Sequence, residues 1–216
     1  MDATTTPLSK KDLRAVLKSQ RNAMPQQERV RVDARIAARL AAQPEYTAAP
    51  LLLTYLSFGS EVDTYRIIET AWEDGKQVAL PRCIPGTRRM QWHAITSFSG
   101  LQRSPLGVLE PEPLPQTLVL GEAGEPGPAA APGFRLEEAL AVVPGYTFDE
   151  RGFRLGYGGG FYDVFLESFP GVSAGLCRSA QISTAIPCLD PHDLPVALVV
   201  TETQIIRPEK EGAASA

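Results

Sequence analysis

The sequence predicts an α/β protein built as a three-layer α/β/α sandwich around a mainly parallel sheet. The first supporting observation is the order of apolar strand, helix and strand across residues 51–80, which is the right-handed crossover unit of a parallel sheet. The second is a set of short apolar runs, 139–143, 172–176 and 198–201, that have the length of buried strands. Together they indicate a Rossmann-like arrangement with helices on both faces of the sheet.

Length and composition indicate one domain. The chain has 216 residues, 44% of them hydrophobic, which is enough apolar surface for one substantial core. We expect this single domain to cover residues 1–206. The charged and alanine-rich residues 207–216 are expected to form a disordered tail.

Charge and hydropathy restrict the partners. The formal net charge is −4, which argues against a nucleic-acid-binding surface but is compatible with a local basic pocket. The sequence shows neither an apolar run of transmembrane length nor a secretory signal, so we expect a cytoplasmic protein with no membrane partner. Cys83, Cys177 and Cys188 lack disulfide-type or metal-type spacing and are expected to be free thiols.

Two amphipathic helices are predicted near the amino terminus. The first, 9–24, opens on a capping pattern formed by Ser9 and Asp12 and stops before Pro25, and the second covers 26–42. By themselves, the basic residues of the first helix are best interpreted as a solvated face. The expected packed positions are Leu13, Val16 and Leu17 in the first helix and Val30, Ala34, Ala37, Ala38 and Leu40 in the second.

The loop after the predicted strand 51–56 carries one informative acid, Glu61. This loop ends in a helix cap at Asp63 or Thr64, and the helix that follows stops at Gly75. Glu61 is either an ordinary solvated residue or a ligand-binding acid, because ligands of open α/β sheets bind at the carboxyl ends of the strands. The loop alone leaves both interpretations open.

The middle of the chain offers little chemistry. Strands are predicted at 76–80 and 90–95, and the single His93 in the second is interpreted as structural. Arg82 is equally compatible with an anion contact and with solvent exposure. Residues 99–134 are rich in proline and glycine, which predicts a long surface connection with 111–134 as a flexible insertion.

The stretch 143–163 carries the strongest functional pattern. It places Arg154 and a glycine-rich loop, residues 156–160, between an apolar strand and the amino end of a helix. Such a loop brings backbone N–H groups close to a ligand, and the helix adds partial positive charge, which is the chemistry of a phosphate cradle. The pattern is neither a Walker A loop nor a dinucleotide-binding fingerprint. For the glycines taken alone, an ordinary flexible loop is an equal alternative.

Two charged neighbours favour the phosphate interpretation. Arg154 presents a guanidinium fork that suits phosphate oxygens, and Asp163 lies where the first turn of the helix could hold a magnesium ion. The pair His192 and Asp193 is less informative, because adjacent side chains generally point apart, and a dedicated metal site is not favoured there.

Three separated motifs carry a resemblance to a known family. They are Lys10-x-x-Leu13-Arg14, Glu61-Val-Asp-Thr64, and the run from Phe148 to Asp163 with Arg154-Leu-Gly at its centre. In this order they resemble the 5-formyltetrahydrofolate cyclo-ligases, also called methenyltetrahydrofolate synthetases. The resemblance covers most of residues 8–204. It departs at Ala197, where related sequences often have an acid.

The resemblance implies an activity. It is the ATP-dependent cyclisation of 5-formyltetrahydrofolate to 5,10-methenyltetrahydrofolate, with release of ADP and phosphate, by phosphorylation of the formyl oxygen and attack by N10. The implied cofactor is Mg²⁺, and the implied assembly is a monomer or a weak homo-oligomer. A paralogue acting on a different folate-like compound and a non-catalytic folate-binding module are the alternatives.

The resemblance also implies residue roles. Catalytic positive charge is assigned to Arg154, Lys10 and Arg14, substrate binding to Leu56, Glu61, Tyr157, Gly158, Gly159, Gly160 and Phe161, and metal binding to Asp163 and Asp193. ATP binding is assigned to Lys10, Lys11, Arg14, Arg154, Leu155, Gly156, Tyr157, Gly158, Gly159, Gly160, Phe161 and Tyr162. Tyr162 is either a wall of the site or a core residue.

Overall fold

The computed structural model describes residues 9–105 and 107–209. In this part of the chain the helices are α1 Lys10–Ala23, α2 Gln26–Ala41, α3 Pro44–Ala48, α4 Tyr65–Glu73 and α5 Phe161–Ser168. The strands are β1 Leu51–Leu53, β2 Gln77–Cys83, β3 Met90–Ala94, β4 Gln102–Arg103, β5 Leu109–Glu110, β6 Leu118–Leu120, β7 Leu140–Val143, β8 Thr147–Asp149, β9 Arg154–Leu155, β10 Val172–Leu176, β11 Ile182–Ser183, β12 Leu198–Val200 and β13 Ile205–Ile206.

Eight strands form the main sheet, in the order β13-β12-β10-β7-β1-β2-β3-β6. The five central strands, β12 to β2, are parallel, whereas β13, β3 and β6 join antiparallel at the two edges. The mainly parallel sheet is therefore confirmed.

The two faces of the sheet pack against different helices. Leu52 belongs to a core cluster with Ile36 of α2 and Ile68 of α4, while its neighbours Leu51 and Leu53 belong to a second cluster that packs against α5. This alternation follows the two-residue period of a strand. Helices thus cover both faces, which confirms the three-layer prediction.

The strand order reverses beside β1. From β1 the chain crosses through α4 to β2 on one side, and from β7 it continues through β10 to β12 on the other. Connections that diverge in this way leave a crevice at the carboxyl ends of the strands. The residues that follow β1 and β7 therefore face the same space.

Several predicted elements differ in their limits or packing. The strand expected at 51–56 ends at Leu53, although residues 54–56 stay buried. In the amino-terminal helices, Val16 and Val30 are 44% and 64% exposed, so neither packs as predicted. The buried stripe of α2 contains Val32, Ile36, Ala37 and Leu40. Ala37 and Leu40 therefore pack as predicted, and Val32 and Ile36 take the place of Val30, because they share the face of the helix that lies on the sheet.

Part of the predicted surface connection belongs to the main sheet. Strand β6 lies within the segment 111–134 and pairs antiparallel with β3, and Val119 and Leu120 are buried. The expectation of an insertion outside the sheet is therefore wrong for residues 118–120. A run of only three apolar residues between prolines gives too short a pattern to separate a strand from a loop.

The first residue of the expected tail, Arg207, contacts α3. Arg207 Nη1 lies 2.5 Å from Glu45 Oε1 of α3, so residue 207 is held against the domain. Residues 210–216 of the expected tail lie outside the described residues. None of the helices in the described part of the chain is both long enough and apolar enough to cross a bilayer.

Candidate active site

A cavity of about 500 Å³ occupies the crevice at the carboxyl ends of β1 and β7. Residues from α1, from the loop after β1, from the glycine-rich loop and from the turn 190–193 line it. Most of the site residues predicted from the sequence meet here. They are Lys10, Arg14, Leu56, Glu61, Arg154, Leu155, Gly156, Tyr157, Gly158, Gly159, Gly160, Phe161, Tyr162, Asp163 and Asp193.

Lys11 is the exception. It is exposed on α1 and does not line the cavity. Lys10 and Arg14 are four positions apart and share one side of the helix, whereas Lys11 is turned about 100° away. The structure thus separates Lys10 from Lys11, which the sequence did not.

A small hairpin delivers Arg154 to the cavity. Strands β8 and β9 are antiparallel, and the buried Asp149 carboxylate at their turn accepts N–H bonds from Arg151 and Phe153 at 3.0 Å. Gly152 has φ +81°, and a Cβ there would lie 2.6 Å from the Val196 carbonyl oxygen. Only glycine fits this turn without displacing backbone, which gives the Phe148-Asp-x-x-Gly152 pattern a structural cause.

Arg154 is buried against two partners. Its residue exposure is 7%, Nη2 lies 2.6 Å from Asp163 Oδ1, and Nη1 donates to the Leu194 carbonyl at 2.8 Å. Burial lowers the pKa of the Arg154 guanidinium, and the Asp163 carboxylate opposes that shift. The ion pair holds Arg154 charged at the edge of the cavity.

Arg14 lies directly on the glycine-rich loop. Its Nε donates to the Gly156 carbonyl at 2.8 Å, and its Cζ would be 3.2 Å from a Cβ placed on Gly158, which has φ +96°. A side chain at position 158 would be strained and would press on the guanidinium. Residues 142 positions apart in the chain therefore form one surface.

Lys10 extends this surface to the turn 190–193. Its Nζ lies 2.5 Å from Asp190 Oδ2 and 2.7 Å from Asp193 Oδ2. Burial is the largest single influence and lowers the Lys10 pKa, but hydrogen bonds and attraction from the two carboxylates together outweigh it, so the pKa is raised. We name Lys10, Arg14, Arg154 and loop 156–160 the cationic wall.

A second part of the cavity lining centres on Glu61. Its Oε2 accepts the Phe58 N–H at 2.9 Å, and its Oε1 accepts the hydroxyl of Tyr157. Burial raises the Glu61 pKa, and the hydrogen bonds from Tyr157 and Phe58 and the charge of Arg21 oppose the rise. A carboxylate offers about four lone-pair positions, so two are left for a ligand. We name Tyr55, Leu56, Phe58 and Glu61 the Glu61 wall.

A buried ion pair holds the Glu61 wall from behind. Arg178, 1% exposed, makes two bonds of 2.7 and 2.8 Å to Asp33 of α2. The same guanidinium donates to the carbonyls of Ser60 at 2.9 Å and Glu61 at 3.0 Å. The backbone position of Glu61 is thus fixed by a group that does not reach the cavity.

Two carboxylates of the cavity are suited to a hard cation. Asp163 and Asp193 each bond a cationic side chain through one oxygen, Oδ1 and Oδ2 respectively. Within residues 9–105 and 107–209, no group of three His, Cys, Asp or Glu side chains is placed to hold a metal. Such a site fits Mg²⁺ only if most ligands are water and phosphate oxygens, which is the usual pattern for Mg²⁺.

The structure adds residues that the sequence reasoning missed. Arg21 donates to the Tyr157 hydroxyl at 2.7 Å, and Asp190 pairs with Lys10. Arg88 and the buried Glu110 also line the cavity. A signal for Arg21 was available, because positions 10, 14, 17 and 21 follow one face of a helix. Asp190, Arg88 and Glu110 had no comparable pattern.

Comparison with known proteins points to one family. The model of the 5-formyltetrahydrofolate cyclo-ligase family matches residues 7–202. A 5-formyltetrahydrofolate cyclo-ligase of Mus musculus is 30% identical over 215 residues, covering 94% of this chain and 98% of the mouse protein. One of Escherichia coli strain K12 is 28% identical over 194 residues, covering 88% and 98%.

A solved structure extends the match to three dimensions. The 5,10-methenyltetrahydrofolate synthetase of Aquifex aeolicus superposes with a TM-score of 0.74 at 25% identity, covering 97% of each chain. The family model spans residues 7–202, which include all three motifs that meet in the cavity. The chain therefore belongs to the 5-formyltetrahydrofolate cyclo-ligase family.

Proposed function

We propose that this chain catalyses the ATP-dependent closure of 5-formyltetrahydrofolate to 5,10-methenyltetrahydrofolate, releasing ADP and phosphate. Membership of the cyclo-ligase family makes it an ATP-dependent ligase of folate one-carbon metabolism. One observation carries the assignment of the site. Cations at residues 10, 14 and 154 and a carboxylate at residue 61 line one and the same cavity.

The chemistry explains why two unlike walls are needed. A formamide oxygen is a poor leaving group, so the formyl oxygen first attacks the γ-phosphorus and ADP departs. The N10 amine then attacks the activated carbon, phosphate leaves with the former formyl oxygen, and the N10 proton is lost as the ring closes. Catalysis consists mainly of aligning two substrates and neutralising phosphate charge.

The cationic wall takes the triphosphate in this scheme. Lys10, Arg14 and Arg154 supply positive charge, and the backbone of residues 156–160 supplies close N–H donors. Arg14 also holds the loop, because it bonds the Gly156 carbonyl. Leu155, Phe161 and Tyr162 line the cavity next to the loop and are assigned to the nucleotide with it.

The Glu61 wall takes the folate. The edge of the pterin offers adjacent N–H donors, and the free lone pairs of Glu61 can accept them. Leu56 and Phe161 line the cavity as apolar neighbours for the ring. Tyr157 belongs to both walls, because its backbone lies in the glycine-rich loop and its hydroxyl bonds Glu61.

Asp163 and Asp193 would hold Mg²⁺ when the nucleotide is bound. The ion supplies neutralisation of phosphate charge. Asp163 is bonded to Arg154 and Asp193 to Lys10, so metal binding by the carboxylates would leave these two cations to phosphate oxygens.

The remaining assignments concern the domain, the cellular compartment and the oligomeric state. We propose that residues 1–206 act as one cytoplasmic domain, a monomer or weak homo-oligomer that needs no nucleic acid or membrane. The eight-stranded sheet contains strands from residue 51 to residue 206, which supports one domain.

A single assay tests the function. The near-ultraviolet absorbance of 5,10-methenyltetrahydrofolate is followed with 5-formyltetrahydrofolate in the presence and absence of ATP and Mg²⁺. Product that forms only with ATP is the expected result. Folate binding without product would instead indicate a non-catalytic module, and neither binding nor product would indicate a different substrate.

A further inference from the structure

Arg21 is a buried cation that the proposed chemistry leaves unused. It lies near the carboxyl end of α1 and is 6% exposed, although it belongs to a helix whose other residues are mostly solvated. Burying a guanidinium is costly unless its donors are satisfied and its charge is compensated. The contacts that compensate it indicate what it does.

The hydrogen bonds of Arg21 connect it to both walls. Its Nε donates to the Ser60 hydroxyl at 2.9 Å, next to Glu61, and Ser60 in turn donates to Asn22 at 2.5 Å. Its Nη1 donates to the Tyr157 hydroxyl at 2.7 Å. The guanidinium carbon lies 4.6 Å from the ring centre of Tyr146 and 5.6 Å from that of Tyr157, within cation–π range.

Tyr157 connects this cation to Glu61. Its hydroxyl accepts from Arg21 and donates to the Glu61 carboxylate. Its ring packs on Tyr146, with centroids 4.5 Å apart, and more loosely on Phe58 at 6.5 Å. Its backbone lies between Gly156 and Gly158, the two residues that Arg14 contacts. A movement of the glycine-rich loop therefore moves a hydrogen bond to Glu61.

We propose that Arg21 is a positioning residue which, through the hydroxyl of Tyr157, couples occupation of the cationic wall to the geometry of Glu61. Phosphate bound to the loop adds contacts to the backbone on either side of Tyr157. Because Arg21 and Tyr146 hold the Tyr157 side chain, its hydroxyl follows the loop, so the loop position that phosphate favours also sets the hydrogen bond to the Glu61 carboxylate. A ligand on one wall then favours the geometry that the other ligand needs, which is positive coupling without a large structural change.

This inference rests on the proposed function, since it needs both ligands in one cavity. Its test is the affinity for 5-formyltetrahydrofolate, measured by calorimetry with and without the magnesium complex of a non-hydrolysable ATP analogue. For the wild type we expect the nucleotide to tighten folate binding at least about fivefold, at the low end of typical allosteric coupling. The ratio of the two dissociation constants is the readout, because a general loss of stability does not change it.

Two variants remove the link at different points. Tyr157→Phe deletes only the hydroxyl and keeps the ring, and Arg21→Gln is too short to reach both Ser60 and Tyr157. In each we expect the ratio to fall below about twofold, and in the double variant to fall no further, because both act on one path. Lys18→Gln, an exposed change on the same helix, is the matched control and keeps the wild-type ratio.

A wild-type ratio in Tyr157→Phe, or a wild type without coupling, overturns the proposal. If Arg21→Gln does not fold, Tyr157→Phe carries the test alone, since it removes one partly exposed hydroxyl. Failure of the proposed function looks different, because the wild-type protein would then form no methenyltetrahydrofolate in the absorbance assay.

Discussion

The two walls of the cavity are held in place in different ways. On the cationic wall, Lys10 pairs with Asp190 through side chains that are 23% and 53% exposed. Behind the Glu61 wall, Arg178 pairs with Asp33 through side chains that are 1% and 6% exposed. Exposed pairs contribute little and exchange partners readily, whereas breaking a buried pair leaves an uncompensated charge. Lys10 is therefore suited to exchanging Asp190 for phosphate, whereas Arg154 of the same wall is held in a more buried pair, with side chains 4% and 22% exposed. The Glu61 wall is suited to keeping one shape.

The largest expected effect is on the buried pair. Arg178→Met leaves Asp33 buried without its cation and frees the Ser60 and Glu61 carbonyls, so we expect a loss of about 3–5 kcal/mol in the free energy of unfolding. The double variant Asp33→Leu with Arg178→Met removes both charges and should be less destabilised than Arg178→Met. Urea denaturation measures both. A single variant as stable as the wild type would mean that this pair does not hold the Glu61 wall.

Arg154 is expected to dominate the cationic wall. Arg154→Gln removes a fixed positive charge from the phosphates, so we expect kcat to fall about 10²–10³-fold, as for the loss of one preorganised donor. Arg135→Gln is the control, since the Arg135 side chain is 68% exposed and does not line the cavity. Steady-state kinetics at saturating substrates compare the two. Equal turnover in both variants would refute the role of Arg154.

Glu61→Gln should weaken the binding of folate without weakening the binding of nucleotide. The amide keeps the shape but loses the charge that accepts the pterin N–H groups, so we expect folate affinity to fall about 10–100-fold, the value of bonds to a charged group. Nucleotide affinity should stay within about twofold. Glu69→Gln, an exposed change on α4, is the control. Calorimetry with each ligand is the measurement, and equal losses for both ligands would contradict the division.

The pH dependence of folate binding provides a second test of the role of Glu61. Burial raises the Glu61 pKa above its ordinary value of 4.5, although Tyr157, Phe58 and Arg21 oppose the rise. Because the pterin needs the ionised form, we expect folate binding to weaken as pH falls through this raised pKa, so the loss begins above pH 4.5. In Glu61→Gln, this weakening of folate binding at low pH should be absent.

The contribution of Glu61 to folding stability should change with pH in the opposite direction. The folded state favours protonated Glu61, so this group stabilises the fold below its unfolded pKa and loses that contribution as pH rises through the raised pKa. Comparing wild type with Glu61→Gln by thermal unfolding between pH 4 and 8 measures it, with the range chosen to span a carboxyl pKa of about 4 and its raised value. A stability gap that does not change with pH would contradict a raised pKa.

The smallest effect is expected at Asp190. Asp190→Asn removes one of the two carboxylates that hold Lys10, while Asp193 remains 2.7 Å from Lys10 Nζ. We expect a change of less than about threefold in the affinity for ATP, because exposed pairs are weak and screened. Glu167→Gln, an exposed change on α5, is the control. A tenfold change would mean that the cationic wall is as tightly organised as the Glu61 wall.

The sequence was most informative where chemistry restricts residue type. The run from Phe148 to Asp163 predicted a ligand loop because three glycines, Arg154 and Asp163 have few structural reasons to occur together. The order of apolar strand, helix and strand, together with the short apolar runs, predicted the sheet. Both depend on local patterns, which a single sequence records directly.

The rest depended on contacts that no local pattern records. Val30 was expected to pack, but the neighbouring elements decide which face of α2 is buried, and that face carries Val32 and Ile36 instead. Strand β6 joins the sheet through pairing with residues some 25 positions earlier. Arg178 lies 145 residues from Asp33. Arg21 could have been predicted as a site residue, because it continues the helical face of Lys10 and Arg14.

The central claim is that the two walls hold a formyl oxygen and a γ-phosphorus in line within one cavity. Turnover of 5-formyltetrahydrofolate labelled with oxygen-18 in the formyl group tests it directly. If the oxygen attacks the γ-phosphorus, the label will appear in the released inorganic phosphate, one atom per turnover, and mass spectrometry will detect it there. Recovery of the label in water, with unlabelled phosphate, would contradict the account.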